Sequence, residues 1–331
     1  MLFLLIVAGG GSSFGNAPIA AIESHQGDSD GYVIVEMDED EYEDTLYTYT
    51  GREETFDVQE EGDYELIAVG GRGGWCNKNS GGYGAQASGT FWLSKGDRLH
   101  IVVGGKGGDC NRATFTYCRS GAGGAGGSFI ELEEGTSKTR KLLIAAGGGG
   151  GAGKDYGGGD GEDKQDGWPD WGGKNGYGGG LSCREVGCTL GIFLNGGAGG
   201  GGYHGDGKSR CGDAKSLKCD FGSHYSDCGD DNVLAAGGES FRNGGKGGQQ
   251  KALFNSKQCS SCDCFMWGYF YGGYGGFGGG GEGGICRWKI INDGGCHDCY
   301  KYGSPEHGGG GGGGGHSGGG AGQLQGQSGG G

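Results

Sequence analysis

The chain has 331 residues, 93 of them glycine and three proline, and a formal net charge of −15. Collagen needs a strict G-X-Y period and abundant proline, so it is excluded, and 14 cysteines with 13 phenylalanines argue against a wholly disordered chain. The acidic balance disfavours nucleic acid and anionic membrane surfaces, which select clustered Lys and Arg.

Residues 1–22 read as a signal-like leader, with an apolar run from Leu2 to Ala8 but no basic residues before it. Residues 23–46 read as an acidic linker, its charge concentrated in EMDEDEYED (36–44). From residue 47 the pattern turns strand-like. TLYTYT, ETFDV, DYELIAV, GTFWL and RLHIVV are short runs rich in Thr, Tyr, Val and Ile, separated by GREE, EEGD and SKGD. SFIELE (128–133) and KLLIAA (141–146) add two more strands. The imperfect alternation of Tyr64, Leu66 and Ala68 against Glu65 and Ile67 predicts strands buried on both faces. This spacing suggests an antiparallel sandwich or jelly roll over residues 47–146.

Strand-like runs empty directly into glycine at ELIAVGGRGG, LHIVVGGKGG, KLLIAAGGGGG, GIFLNGGAGG and NVLAAGG. Some tracts keep a three-residue period. Tyr271, Tyr274 and Phe277 are three apart, as are Ala122, Ala125 and Ser128. A helix of the polyproline II type has three residues per turn, so each series would line one edge. Glycine on the remaining edges lets such helices approach and exchange backbone hydrogen bonds. Residues 147–320 are therefore expected to be mostly a bundle of polyglycine II helices, with a flexible tail at 321–331.

The cysteines are Cys76, Cys110, Cys118, Cys183, Cys188, Cys211, Cys219, Cys228, Cys259, Cys262, Cys264, Cys286, Cys296 and Cys299. An even number in loop-like sequence, with an export-like start, predicts mostly structural disulfides of open connectivity. CSSCDC (259–264) and CHDC (296–299) are the best metal candidates, weighed against disulfides, and disulfides are preferred. GYHGDGKS (202–209) fits the P-loop pattern but lacks the strand before and helix after that the mechanism requires. GAGGAG (121–126) matches the dinucleotide fingerprint only because glycine is abundant. His100 lies inside an apolar strand, where a structural role is expected. No hydrolase constellation, cofactor site or membrane-spanning run stands out, and the expectation is a non-enzymatic protein.

YTYTGREETFDVQEEGDYELIAVGGRGG, GGYGAQASGTFWLSKGDRLHIVVGGKGG, GAGGAGGSFI and LLIAAGGGGG follow in order, and GGYGGFGGGGEGGIC precedes a second polyglycine run. Over residues 47–320 this series resembles the glycine-rich extracellular domain of the anaplastic lymphoma kinase and leukocyte tyrosine kinase receptors. The resemblance implies a tumour-necrosis-factor-like β sandwich joined to a polyglycine bundle. It also implies an extracellular role in binding a small protein ligand. The expected chain is a secreted binding or scaffold module whose partner is such a ligand or a matrix component. The alternatives are an incomplete receptor ectodomain and a glycine-rich material: matrix, filament, venom component or ice-binding surface. No EGF-like module, membrane helix or kinase domain is read in these residues, and CGDAKSLKCDFGSHYSDCGDD is read as a cysteine-bearing insertion.

Overall fold

The computed structural model describes residues 14–15, 30–37, 44–111, 120–135, 138–161, 166–167, 172–181, 196–211, 233–249, 257–260, 263–270, 272–284, 286–292, 300–302 and 308–322. Within them the protein is mainly β. Strands β1 (Phe14–Gly15), β4 (Glu54–Asp57), β7 (Arg98–Val102), β8 (Ser128–Glu133) and β9 (Arg140–Ala146) form an antiparallel sheet ordered β1-β9-β8-β7-β4. Strands β2 (Tyr32–Met37), β3 (Thr45–Thr48), β5 (Gly62–Val69) and β6 (Gln86–Leu93) form a second, ordered β3-β2-β5-β6. Further along, β10 (Arg210–Cys211) pairs with β11 (Val233–Ala235). Strands β12 (Lys257–Ser260), β13 (Asp263–Phe270), β14 (Cys286–Asn292) and β15 (Tyr300–Tyr302) form another antiparallel sheet. Helix is confined, among the described residues, to one 3-10 turn at Phe241–Asn243.

The first two sheets share one apolar core. Val33, Leu66, Ala87 and Leu93 from one side meet Leu99, Ile101, Ile130 and Ile144 from the other. In β5 the alternation is regular: Tyr64, Leu66 and Ala68 are buried, while Glu65 and Ile67 are half-buried on the opposite face. That sheet therefore covers the core with one face only, contrary to the two-sided burial expected from its sequence. The five-stranded sheet is the one buried on both faces. Its outer face carries Val102, Phe129, Leu142 and Ala145, covered by Tyr203, Phe241 and Phe277. A bulge between Ile130 and Glu131 lets Leu143 and Ile144 both reach the shared core.

Several boundaries move. Residues 32–37, assigned to the acidic linker by composition, are strand β2 in the interior of its sheet, with Val33, Val35 and Met37 buried. The run YVIV is β-branched and alternating, and the acids that follow it hide that local pattern. Phe14 and Gly15, in the leader-like segment, pair with Ala145 and Ile144. Sheet structure also extends well beyond residue 146, in β12 to β15.

The glycine tracts are ordered by backbone hydrogen bonds of strict three-residue period. Gly121, Gly124 and Gly127 donate to Gly284, Gly281 and Gly278; Ala122 and Ala125 donate to Ala152 and Gly149; Gly123 and Gly126 donate to Gly108 and Gly105. The carbonyls of the same segment accept from three further neighbours: Gly273 and Gly276, Gly311 and Gly314, and Gly74 and Gly71. One segment thus has six hydrogen-bonded neighbours, and its N–H and C=O groups are satisfied without sheet or α-helix. Close approach requires missing side chains: a Cβ on Gly126 would lie 1.7 Å from the Phe277 carbonyl oxygen. Ala122, Ala125 and Ser128 are fully buried along one edge of this segment. Tracts at 70–74, 81–84, 104–108 and 121–127 belong to this array as well as those after residue 147, so strands and array interleave along the chain. Residues 321–322, expected in the tail, join it through Ala321 to Gly180 and Gly322 to Gly310.

Candidate functional site

The site grows from the outer face of the five-stranded sheet. Pleating puts Phe129, Glu131 and Glu133 of β8 on that face, and register sets Glu131 beside His100 on β7 and Leu142 on β9. Glu131 is almost fully buried, where a lone carboxylate would be costly. It is matched by the Tyr203 hydroxyl, which donates to Oε1, and by Arg140, whose Nη1 is 3.6 Å from Oε2. Arg140 also grips Glu53 with both terminal nitrogens, at 2.8 and 3.0 Å. His100 bridges the next pair, Nδ1 lying 2.9 Å from Glu53 and Nε2 3.1 Å from Glu133. Lys138 closes the chain on Glu133 at 2.8 Å.

These contacts shift the acids. Burial alone would raise Glu53, but hydrogen bonds from Arg140 and His100 outweigh it and hold the carboxyl below its ordinary value. Glu133 is lowered by the hydrogen bonds from Lys138 and His100. Burial, with the Glu131 hydrogen bond next, raises the Tyr203 phenol, so that it remains a proton donor; Arg242 opposes this in part.

Tyr203 is supplied by the glycine array, held there by its N–H to the His316 carbonyl. Its ring stacks nearly parallel on Phe241 at 5.5 Å and on His316 at 6.4 Å, and meets His204 edge-on at 4.6 Å. The Arg242 guanidinium sits 5.0 Å over the same ring and donates to the hydroxyl at 3.2 Å. Around this cluster opens a cleft of about 580 Å³, lined by Arg140, Lys141, Leu142, His204, Arg242 and His316 and also by Glu134 and Thr139.

No protein-family model matches the chain. No curated protein matches it either.

The sequence-predicted residues are distributed differently. Cys76 and Cys110 form a disulfide beside Ala122 and Ala152. Backbone register sets Cys259 opposite Cys264, and Cys286 opposite Phe270; Cys211 pairs with Val233. Cys118, Cys183, Cys188, Cys219, Cys228, Cys262, Cys296 and Cys299 lie outside the described residues, as does His297. Among the described residues no group of three His, Cys, Asp or Glu could hold a metal ion, and no helix is long and apolar enough to cross a membrane. Tyr271 lies outside the described residues; Tyr274 is well exposed, and Phe277 packs on Tyr49 at 6.4 Å. Their carbonyls still keep the period, Tyr274 accepting from Gly108 and Phe277 from Gly105.

The P-loop-like segment has its amides engaged elsewhere. Gly202, Tyr203, His204, Gly205, Gly207 and Lys208 all donate to backbone carbonyls, not into an open cradle. His100 sits among carboxylates rather than in the purely apolar surroundings its strand suggests. The cleft itself escapes sequence reading, because Arg140, Tyr203, Arg242 and His316 are far apart in the chain. The one local signal is the adjacent ring pair Tyr203–His204 within a glycine tract.

Proposed function

We propose that this chain is a non-enzymatic extracellular binding module, built like the glycine-rich domain of the anaplastic lymphoma kinase and leukocyte tyrosine kinase receptors. On this reading the two sheets around the shared core are a tumour-necrosis-factor-like jelly roll, and the glycine array is a bundle of polyglycine II helices. The observation that carries the reading is the six-neighbour hydrogen bonding around residues 121–127. A three-residue period is what a threefold helix produces, and interleaving that array with two core-sharing sheets is the combination the resemblance implies.

A backbone bonded in this way and stripped of side chains is a stiff frame, suited to holding strands and loops in fixed positions for a partner. The partner is a small protein ligand, and the module works the same way free or as part of a receptor ectodomain. Surface plasmon resonance tests this directly. Purified chain should bind the small cytokine ligands of the anaplastic lymphoma kinase and leukocyte tyrosine kinase receptors saturably, in competition with a receptor ectodomain. Folded chain that binds none of them would overturn the ligand-binding reading.

A further inference from the structure

The cleft beside Tyr203 carries the opposite sign to the protein around it. The chain has 41 acidic and 26 basic side chains, yet the cleft is lined by Arg140, Lys141 and Arg242 with two imidazoles, against Glu134 alone among carboxylates. Arg140 is committed to Glu53 and Glu131. Lys141 and Arg242 are exposed, and no carboxylate of the described residues is ion-paired to either. The acid behind the cleft, Glu131, already accepts from Tyr203.

We propose that this cleft binds an oxyanion: a sulfate or phosphate monoester carried on an organic body larger than the ion. Arg242 is positioned in advance, because its guanidinium rests on the Tyr203 ring and donates to the hydroxyl. That bond uses one of five N–H donors, and the planar fork matches a tetrahedral oxyanion. Lys141, which pairs with Leu132 on the alternate pleat of β9, carries a second charge at the edge of the cleft, and the His204 imidazole adds polar ring nitrogens. A volume of about 580 Å³ falls within the roughly 300–1,000 Å³ of small-molecule sites, far more than a bare ion fills. The half-buried His316 ring, with the edges that the buried Leu142 and Tyr203 leave open, gives the organic body an aromatic and apolar surface. The assignment is independent of any protein ligand the module takes.

Isothermal titration of the full chain near physiological salt tests it, using phenyl sulfate, phenyl phosphate, inorganic sulfate and inorganic phosphate as probes. One ester should bind saturably at one site, at least about tenfold tighter than its inorganic ion, and the preferred ester identifies the monoester chemistry. Lys141→Met and Arg242→Gln should each weaken that ester by about tenfold, as loss of a charge-assisted contact does. The Lys141 side chain is exposed and makes no framework bond, so its variant keeps the test valid if Arg242→Gln unfolds. The proposal is overturned by the absence of saturable binding, by inorganic ions that match the esters, or by binding that survives both substitutions.

Discussion

Tyr203 donates its phenolic hydrogen to the buried carboxylate of Glu131, 72 residues earlier in the chain. The bond ties the glycine array to the outer face of the five-stranded sheet, so the two halves of the fold are joined through a polar pair as well as through rings. Tyr203→Phe keeps the stack and deletes the donor. It should destabilise the chain by about 1–3 kcal/mol, the cost of leaving a buried acceptor unsatisfied. Tyr203→Ala, which also empties the space between Phe129, Phe241 and His316, should cost more, about 3–5 kcal/mol. Urea unfolding separates the two; a Tyr203→Phe variant as stable as the native chain would mean the hydroxyl contributes nothing, and equal losses would mean the ring contributes nothing.

The array makes a sharper contrast between glycines. Gly126→Ala would put a methyl 1.7 Å from the Phe277 carbonyl oxygen, against backbone that cannot yield locally. Gly153→Ala would place its methyl no nearer than 3.8 Å to any other group. The first should prevent cooperative folding or lower the melting temperature severely. The second should be neutral, or stabilise by about 0.4–1 kcal/mol through the unfolded chain. Thermal unfolding of both variants side by side decides it, and similar behaviour would contradict the close packing.

The acids of the sheet face give a pH dependence with a definite sign. Glu53 and Glu133 are both held below the ordinary carboxylate value in the folded chain. Their stabilisation is therefore complete above that ordinary value and is lost as pH falls through the lowered folded values. Stability measured from pH 7 down to pH 3 should decline in that acidic window. Glu53→Gln should flatten the decline, because the contacts from Arg140 and His100 then no longer depend on its ionisation. An unchanged slope in the variant would show that the acid limb belongs to other groups.

The Cys76–Cys110 disulfide links positions 34 residues apart. Replacing both with Ala should cost about 2–4 kcal/mol, chiefly by freeing the unfolded chain. Mass spectrometry of the unreduced protein after proteolysis should recover the two peptides as one species; separate peptides would remove this cross-link from the account.

The sequence shows some of these features plainly and others not at all. β4, β5, β7, β8 and β9 are legible because β-branched and aromatic runs are bounded by turn residues. β2 is obscured by the acids that follow YVIV, and β13 and β14 by the glycine and cysteine that surround FMWGYF and CRWKIIN. The array is legible only as a period. Which segment lies beside which is not encoded locally, since glycine has no side chain to specify a neighbour; Gly311 pairs with Ala122 across 189 residues. The cleft fails for the same reason, being assembled from β9, two glycine tracts and a 3-10 turn that nothing in the local sequence relates.

Amide hydrogen exchange is the most direct test of the central claim that the glycine tracts are a hydrogen-bonded frame and not a loose filler. The amides of residues 121–127, bonded to three neighbouring segments, should exchange as slowly as those of β5 and β8, and all should open together with global unfolding. Exchange of the 121–127 amides within seconds, beside protected strands, would contradict the frame.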